Sequence, residues 1–176
     1  MIFRPTKITG AFIVEIEKKE DDRGFFARTY DSEIFKENNL NPTILHCNVN
    51  YTKKKGTLKG LHYQAKPFEE TKLIRCTKGS VYSVTVDLRP ESPTFKQWES
   101  FILSDKDYFW RYIPEGCANG IQTLDDNTEI IYQNSQVYSK KDERGVRWND
   151  PVFNIDWPLS ITDMSEKDKS WKDFTP

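Results

Sequence analysis

Leu73-Ile74-Arg75-Cys76-Thr77-Lys78-Gly79-Ser80-Val81-Tyr82-Ser83-Val84-Thr85-Val86-Asp87-Leu88 is the stretch that decides the fold class. A Lys78-Gly79 turn separates two β-rich runs, and in the second Tyr82, Val84, Val86 and Leu88 alternate with Ser83, Thr85 and Asp87. That period of two predicts a half-buried strand. Working outward, Pro90 to Pro93 breaks the run and Trp98 to Leu103 resumes it. Pro114-Glu115-Gly116 and Asp125-Asp126-Asn127 are turn signals before further strand-like segments, the second of them Thr128 to Gln133. Short strands at this spacing indicate an all-β sandwich or barrel rather than βαβ units. Helix is minor: a short one from Ser32 to Asn38, with Ser32 as its cap, and a turn beginning at Ser165. No linker, repeat or low-complexity tract interrupts residues 1–176, so a single domain is expected. Lys53-Lys54-Lys55 reads as a solvated turn.

Composition narrows the function. Lys and Arg number 26 against 27 Asp and Glu, so no global charge steers the chain to nucleic acid or an anionic membrane. Aromatics are 14% of residues, enough to supply flat surfaces for a ring-bearing ligand besides filling a core. Cys47, Cys76 and Cys117 form no paired framework, and Met1-Ile2-Phe3-Arg4-Pro5 opens no secretory leader. No apolar run reaches membrane-spanning length. A cytoplasmic globular protein is expected.

Gly56-Thr57-Leu58-Lys59-Gly60-Leu61-His62-Tyr63-Gln64 places one of only two histidines on an extended strand, and Lys72 and Arg75 open the next apolar run. Imidazole is the side chain best suited to moving a proton near neutral pH. His46 and His62 are far apart, no two cysteines are closely spaced, and no His-x-His occurs, which argues against a metal site unless both histidines and a carboxylate meet in space. A phosphate-cradling Gly-rich loop and a Gly-x-Ser-x-Gly elbow are also missing. Cys117 has no histidine near it in sequence and reads as a small buried hydrophobe.

Several blocks together carry a family resemblance. They are Asp22-Arg23-Gly24-Phe25-Phe26, Lys55 to Gln64, Lys72-Leu73-Ile74-Arg75, Val84 to Arg89, Ile113-Pro114-Glu115-Gly116, Arg144 to Pro151, and Ser165-Glu166-Lys167-Asp168. In this order across nearly the whole chain, they resemble the dTDP-4-dehydrorhamnose 3,5-epimerase family. The resemblance implies a cupin-type jelly roll, a homodimer, a site inside each barrel, and neither metal nor redox cofactor. The implied substrate is a nucleoside-diphosphate-linked 4-keto-6-deoxy sugar, in which the hydrogens on C3 and C5 flank the C4 carbonyl. Inverting such a carbon needs a base on one ring face, a donor on the other, and a cation for the enolate oxygen. By resemblance His62 is the base, Asp168 its orienting carboxylate, Lys72 the enolate partner and Tyr132 the proton donor.

Each role has a plainer rival. His62 could be strand scaffolding, Ser165-x-x-Asp168 is a capping-box pattern, Lys72 could be a surface lysine, and Tyr132 shares a strand face with Ile130 as a core residue would. Trp110, Trp148, Trp157 and Trp171 read as packing. The ligand's other end is read from Arg23, Phe26, Asn48 and Lys59, with arginine and lysine suited to a diphosphate and Phe26 to the base, and Tyr138 is a further ligand contact. Lys59 and His62 face opposite ways on a regular strand, so both line one pocket only if Gly60 bulges it. Three residues depart from the family pattern. Asn119 stands where a histidine usually follows the Pro-Glu-Gly loop, and it either confines epimerisation to C3 or hydrogen-bonds the sugar. Lys59 replaces an arginine. Arg28 replaces a glutamate near the base, and a guanidinium suits guanine acceptor edges, pointing to GDP rather than dTDP and to an unusual hexose or heptose. A 3,4-ketoisomerase and a non-catalytic sugar-nucleotide-binding jelly roll are the competing readings.

Overall fold

The computed structural model describes residues 1–175; Pro176, the last residue of the expected single domain, lies outside the described residues. In chain order the strands are β1 (Ile2–Pro5), β2 (Phe12–Glu15), β3 (Lys19–Asp21) and β4 (Gly24–Phe26), followed by helix α1 (Ser32–Glu37). Next come β5 (His46–Thr52), β6 (Leu58–Gln64), β7 (Lys72–Lys78), β8 (Ser80–Asp87) and β9 (Trp98–Ser104). β10 (Trp110–Ile113), β11 (Cys117–Thr123), β12 (Thr128–Asn134) and β13 (Glu143–Gly145) precede helix α2 (Glu166–Lys169). One sheet runs β1-β2-β10-β7-β12-β5, a second runs β13-β6-β11-β8-β9, and β3 pairs with β4 alone. The pairings are antiparallel, and the two large sheets form the expected jelly-roll sandwich.

Arg111 ties the sheets together. From β10 it donates to the Ser83 carbonyl on β8 at 2.7 Å and pairs with Glu99 on β9 at 3.1 Å, fully buried. The Lys78-Gly79 turn makes no hairpin: β7 and β8 lie in different sheets, so it is a corner between layers.

β8 corrects the half-buried reading. Its alternation is real, but both faces are covered. Val81 joins the cluster between the sheets with Ile74, Cys76, Ile121 and Ile130. Val84, Val86 and Leu88 point the other way and are buried beneath later chain, where Val146, Phe153 and Ile155 complete a second cluster. Strand periodicity reports which residues share a face, and it is silent on what a distant segment lays over that face. A third cluster, with Phe35 of α1 against Val14, Leu73 and Trp110, covers the outside of the other sheet. Helix α1 is capped by Asp31 rather than Ser32: its carboxylate accepts from the backbone N–H of Glu33 at 3.1 Å and of Ile34 at 3.4 Å. A side-chain acceptor one residue before the helix reaches these free donors, which Ser32, already inside, does not.

Candidate active site

The site begins with a bulge in β6. Asn119 on β11 lies opposite His62, and Ile121 lies opposite Lys59, so three steps on β6 match two on β11. The extra residue turns Lys59 and His62 to the same side, as the Gly60 expectation required. Gly60 holds φ at +113°, and a Cβ there would come 2.7 Å from the Asn119 carbonyl oxygen and from the Gly120 Cα. Only glycine fits.

His62 points between the sheets with 29% of its side chain exposed. Its Nε2 lies 2.5 Å from Asp168 Oδ1, and the Gly60 N–H donates to Asp168 Oδ2 at 3.3 Å. The bulge therefore aims the imidazole and also binds the carboxylate that orients it. Only half of the capping box forms: Ser165 Oγ accepts from the Asp168 N–H at 3.1 Å, while the Asp168 side chain turns to His62. Burial works to raise the Asp168 carboxyl. The hydrogen bond and charge of His62, with the Gly60 and Ser165 contacts, outweigh burial and hold it below the ordinary carboxylate range. With Nε2–H donating to Asp168, the Nδ1 lone pair is the free base of the ring.

The opposite wall belongs to the other sheet. Tyr132 rises from β12, and Lys72 from β7 donates to the His62 carbonyl at 3.4 Å and pairs with Glu70 at 3.2 Å. Burial, helped by Glu70, raises the Tyr132 phenol, so it stays protonated at neutral pH. His62, Lys72, Tyr132, Lys59 and Asn119 line one narrow cavity of about 120 Å³, floored by Ile74, Ile121 and Ile130. It widens to a mouth of about 420 Å³ that adds His46, Asn48, Glu70, Tyr138 and Glu143. Lys59 donates to Asn50 at 2.5 Å and Thr52 at 2.8 Å, and burial lowers its ammonium. Asn119 gives its amide N–H to the Val84 carbonyl at 2.8 Å, which leaves its Oδ1 as the group free to serve a ligand. At the mouth, the Tyr138 hydroxyl donates to Glu143 at 2.7 Å, and Asn48 donates to Asn134 at 3.2 Å.

The sequence profile of the dTDP-4-dehydrorhamnose 3,5-epimerase family matches residues 5–175. A dTDP-4-dehydrorhamnose 3,5-epimerase of Shigella flexneri is 38% identical over 170 residues, covering 96% of this chain and 93% of that protein. The chain belongs to the dTDP-4-dehydrorhamnose 3,5-epimerase family. Among solved structures, the family's Bacillus anthracis enzyme with TDP and PPi bound matches at a TM-score of 0.93 and 36% identity, covering 98% of this chain and 99% of that one. A 3'-monoepimerase of Streptomyces bikiniensis in complex with dTDP-quinovose matches at 0.87 and 28% identity, covering 96% and 86%.

Three residues expected at the ligand lie away from this epimerase-family cavity. Arg23 is 89% exposed at its side chain and pairs with Asp21 at 2.6 Å; Phe26 is 65% exposed; Arg28 pairs with Asp31 at 2.5 Å. None lines the cavity. The β3–β4 hairpin pairs with no other strand and touches its own barrel through Phe25, whose ring meets Tyr108 edge to face at 5.0 Å, while Arg23, Phe26 and Arg28 stay outside the cavity. Cys117 lies in the core between the sheets, with burial pushing its thiol up to about 12, as a packed hydrophobe should. His46 and His62 share the mouth, and among the described residues no group of three His, Cys, Asp or Glu is placed to hold a metal ion. No helix among the described residues is long and apolar enough to cross a membrane.

Sequence reasoning missed Asn50, Glu70 and Glu143. Asn50 had a signal, since it sits two residues from Asn48 on β5 and so shares its face. Glu70 and Glu143 reach the mouth from outside the quoted catalytic set, and only the fold brings them there.

Proposed function

We propose that this chain inverts C3 of a nucleoside-diphosphate-linked 4-keto-6-deoxy sugar, without a cofactor, in deoxysugar and polysaccharide biosynthesis. One observation carries the reading: His62 and Tyr132 stand on opposing sheets with a cavity of about 120 Å³ between them, and Lys72 lies beside both. A sugar ring there offers one face to each residue. His62 Nδ1 removes the C3 proton, and the C–H electrons move into the C3–C4 bond as O4 gains negative charge. The Lys72 ammonium stabilises that oxygen. The Tyr132 phenol delivers its proton to C3 from the other side, and exchange with water restores imidazole and phenol. Asn119 presents an acceptor, so it supplies no proton to C5.

Residues 1–176 are proposed to act as one cytoplasmic domain within a homodimer, in line with the free Cys47, Cys76 and Cys117. The dimer reading is supported by the apolar side chains left open on the hairpin and on β5: Phe26 is 65% exposed, Val49 64% and Tyr51 47%. On this reading Arg23, Phe26 and Arg28, exposed and outside their own cavity, serve the ligand of a neighbouring barrel. The base is where this chain departs from the thymidine nucleotides of its solved neighbours, because Arg28 offers donors suited to guanine acceptors.

The test is turnover in deuterated water on dTDP- and GDP-linked 4-keto-6-deoxy sugars, read by NMR. Deuterium with inverted configuration at C3, and none at C5, is expected. A carbonyl moved to C3 would establish a ketoisomerase, and binding with no exchange at either carbon would establish a non-catalytic binder. Calorimetry is expected to show tighter GDP than dTDP; the reverse overturns the base assignment alone.

A further inference from the structure

Trp171 lies three residues beyond Asp168, just past α2, and its indole meets the His62 ring edge to face, with centroids 6.3 Å apart and planes at 69°. Beneath it is Gly145, the residue paired with His62 across β13 and β6. A Cβ at Gly145 would come 2.2 Å from the indole, so the ring rests on bare backbone. The indole Nε1 is buried with no hydrogen-bond partner. A buried donor left unpaired works against folding. Ring packing on Gly145 and His62, not a hydrogen bond, therefore holds Trp171 where it is.

We propose that Trp171 is a positioning residue for His62, the second wall of a clamp whose first jaw is Asp168. The proposal rests on reading His62 as the base. Asp168 holds the imidazole at Nε2 alone, and because Nε2 lies close to the Cβ–Cγ axis that bond restrains rotation about χ2 only weakly. The indole edge contact stops that rotation and keeps Nδ1 trained on the carbon that loses its proton. One short segment, residues 168–171, thus supplies both constraints. Displacement of a reacting group by about 1 Å can lower turnover on the order of 10²-fold, so a wall of this kind has a measurable effect.

The chain has only two histidines, so His46→Ala identifies the His62 ring resonances in a proton–nitrogen or proton–carbon NMR spectrum. In the wild type the indole ring current is expected to displace the His62 ring protons from the positions of an exposed histidine. Trp171→Leu removes that displacement and lowers kcat about 10-fold or more with KM within about twofold, and Trp171→Phe recovers most of the kcat. Undisplaced His62 resonances in the wild type, or a Trp171→Leu protein with unchanged kcat, would overturn the proposal. If Trp171→Leu does not fold, the wild-type resonances and Trp171→Phe still decide it. The NMR reading needs no turnover. Absence of epimerisation by the wild type would sink the role of His62 as base while leaving the ring contact standing.

Discussion

At the scale of single residues, the Nε2–Oδ1 contact of 2.5 Å between His62 and Asp168 and the raised Tyr132 phenol set the chemistry. Asp168→Asn keeps the shape but replaces an acceptor with an amide whose N–H₂ favours the wrong tautomer of His62. Its kcat is expected to fall about 10²-fold or more, with the thermal midpoint changed little. Tyr132→Phe should separate the two half-reactions. His62 still removes and returns the proton on its own face, so deuterium is expected to enter the unreacted substrate at C3 while inversion falls about 10²-fold. If neither exchange nor inversion survives, Tyr132 acts before proton removal and not after it. Ser165-x-x-Asp168 shows why local sequence is ambiguous here. The cap and the contact with His62 use the same residue, with the backbone N–H serving one and the carboxylate the other.

At the scale of elements, the β6 bulge positions Lys59 and His62, and a buried carboxylate at the end of β8 holds the loop that follows. Gly60→Ala places a Cβ 2.7 Å from the Asn119 carbonyl oxygen at a φ of +113°, and is expected to destabilise the protein by about 1–3 kcal/mol in denaturant titrations. It should also abolish activity, because Lys59 and His62 then lose their common side. Asp87, at the end of β8, is fully buried and accepts from Arg89 Nη2 at 2.6 Å, Ser92 at 2.6 Å and Thr94 at 2.7 Å. Burial raises its carboxyl, but these bonds more than offset that and bring it from 3.8 to about 2. A carboxyl lowered by folding adds stability that is complete above its unfolded pKa and is lost as pH falls through the folded value. The contribution of about 2 kcal/mol should therefore disappear between about pH 4 and pH 2. Acid unfolding of Asp87→Asn followed by circular dichroism is expected to show a flatter dependence over that window.

At the scale of the whole molecule, the exposed hairpin and β5 face predict the assembly. Light scattering should give twice the chain mass, and Arg23→Ala should raise KM for the nucleotide sugar while leaving kcat within about twofold. A monomer with full activity would remove the hairpin residues from the site. Much of this protein was readable from its sequence: strand spacing, turn residues, and the run from Gly56 to Gln64 with its bulging glycine. These are local properties, set by backbone sterics and by the two-residue period of a pleated strand, so neighbouring residues alone encode them. What escaped the chain's own pattern is long-range. That Asp168 reaches His62 across 106 positions, that the carboxy-terminal segment buries the second face of β8, and that Arg23, Phe26 and Arg28 stand away from their own barrel follow from how separate layers pack. Packing depends on which distant surfaces meet once the sheets close, and no periodicity within a strand carries that information.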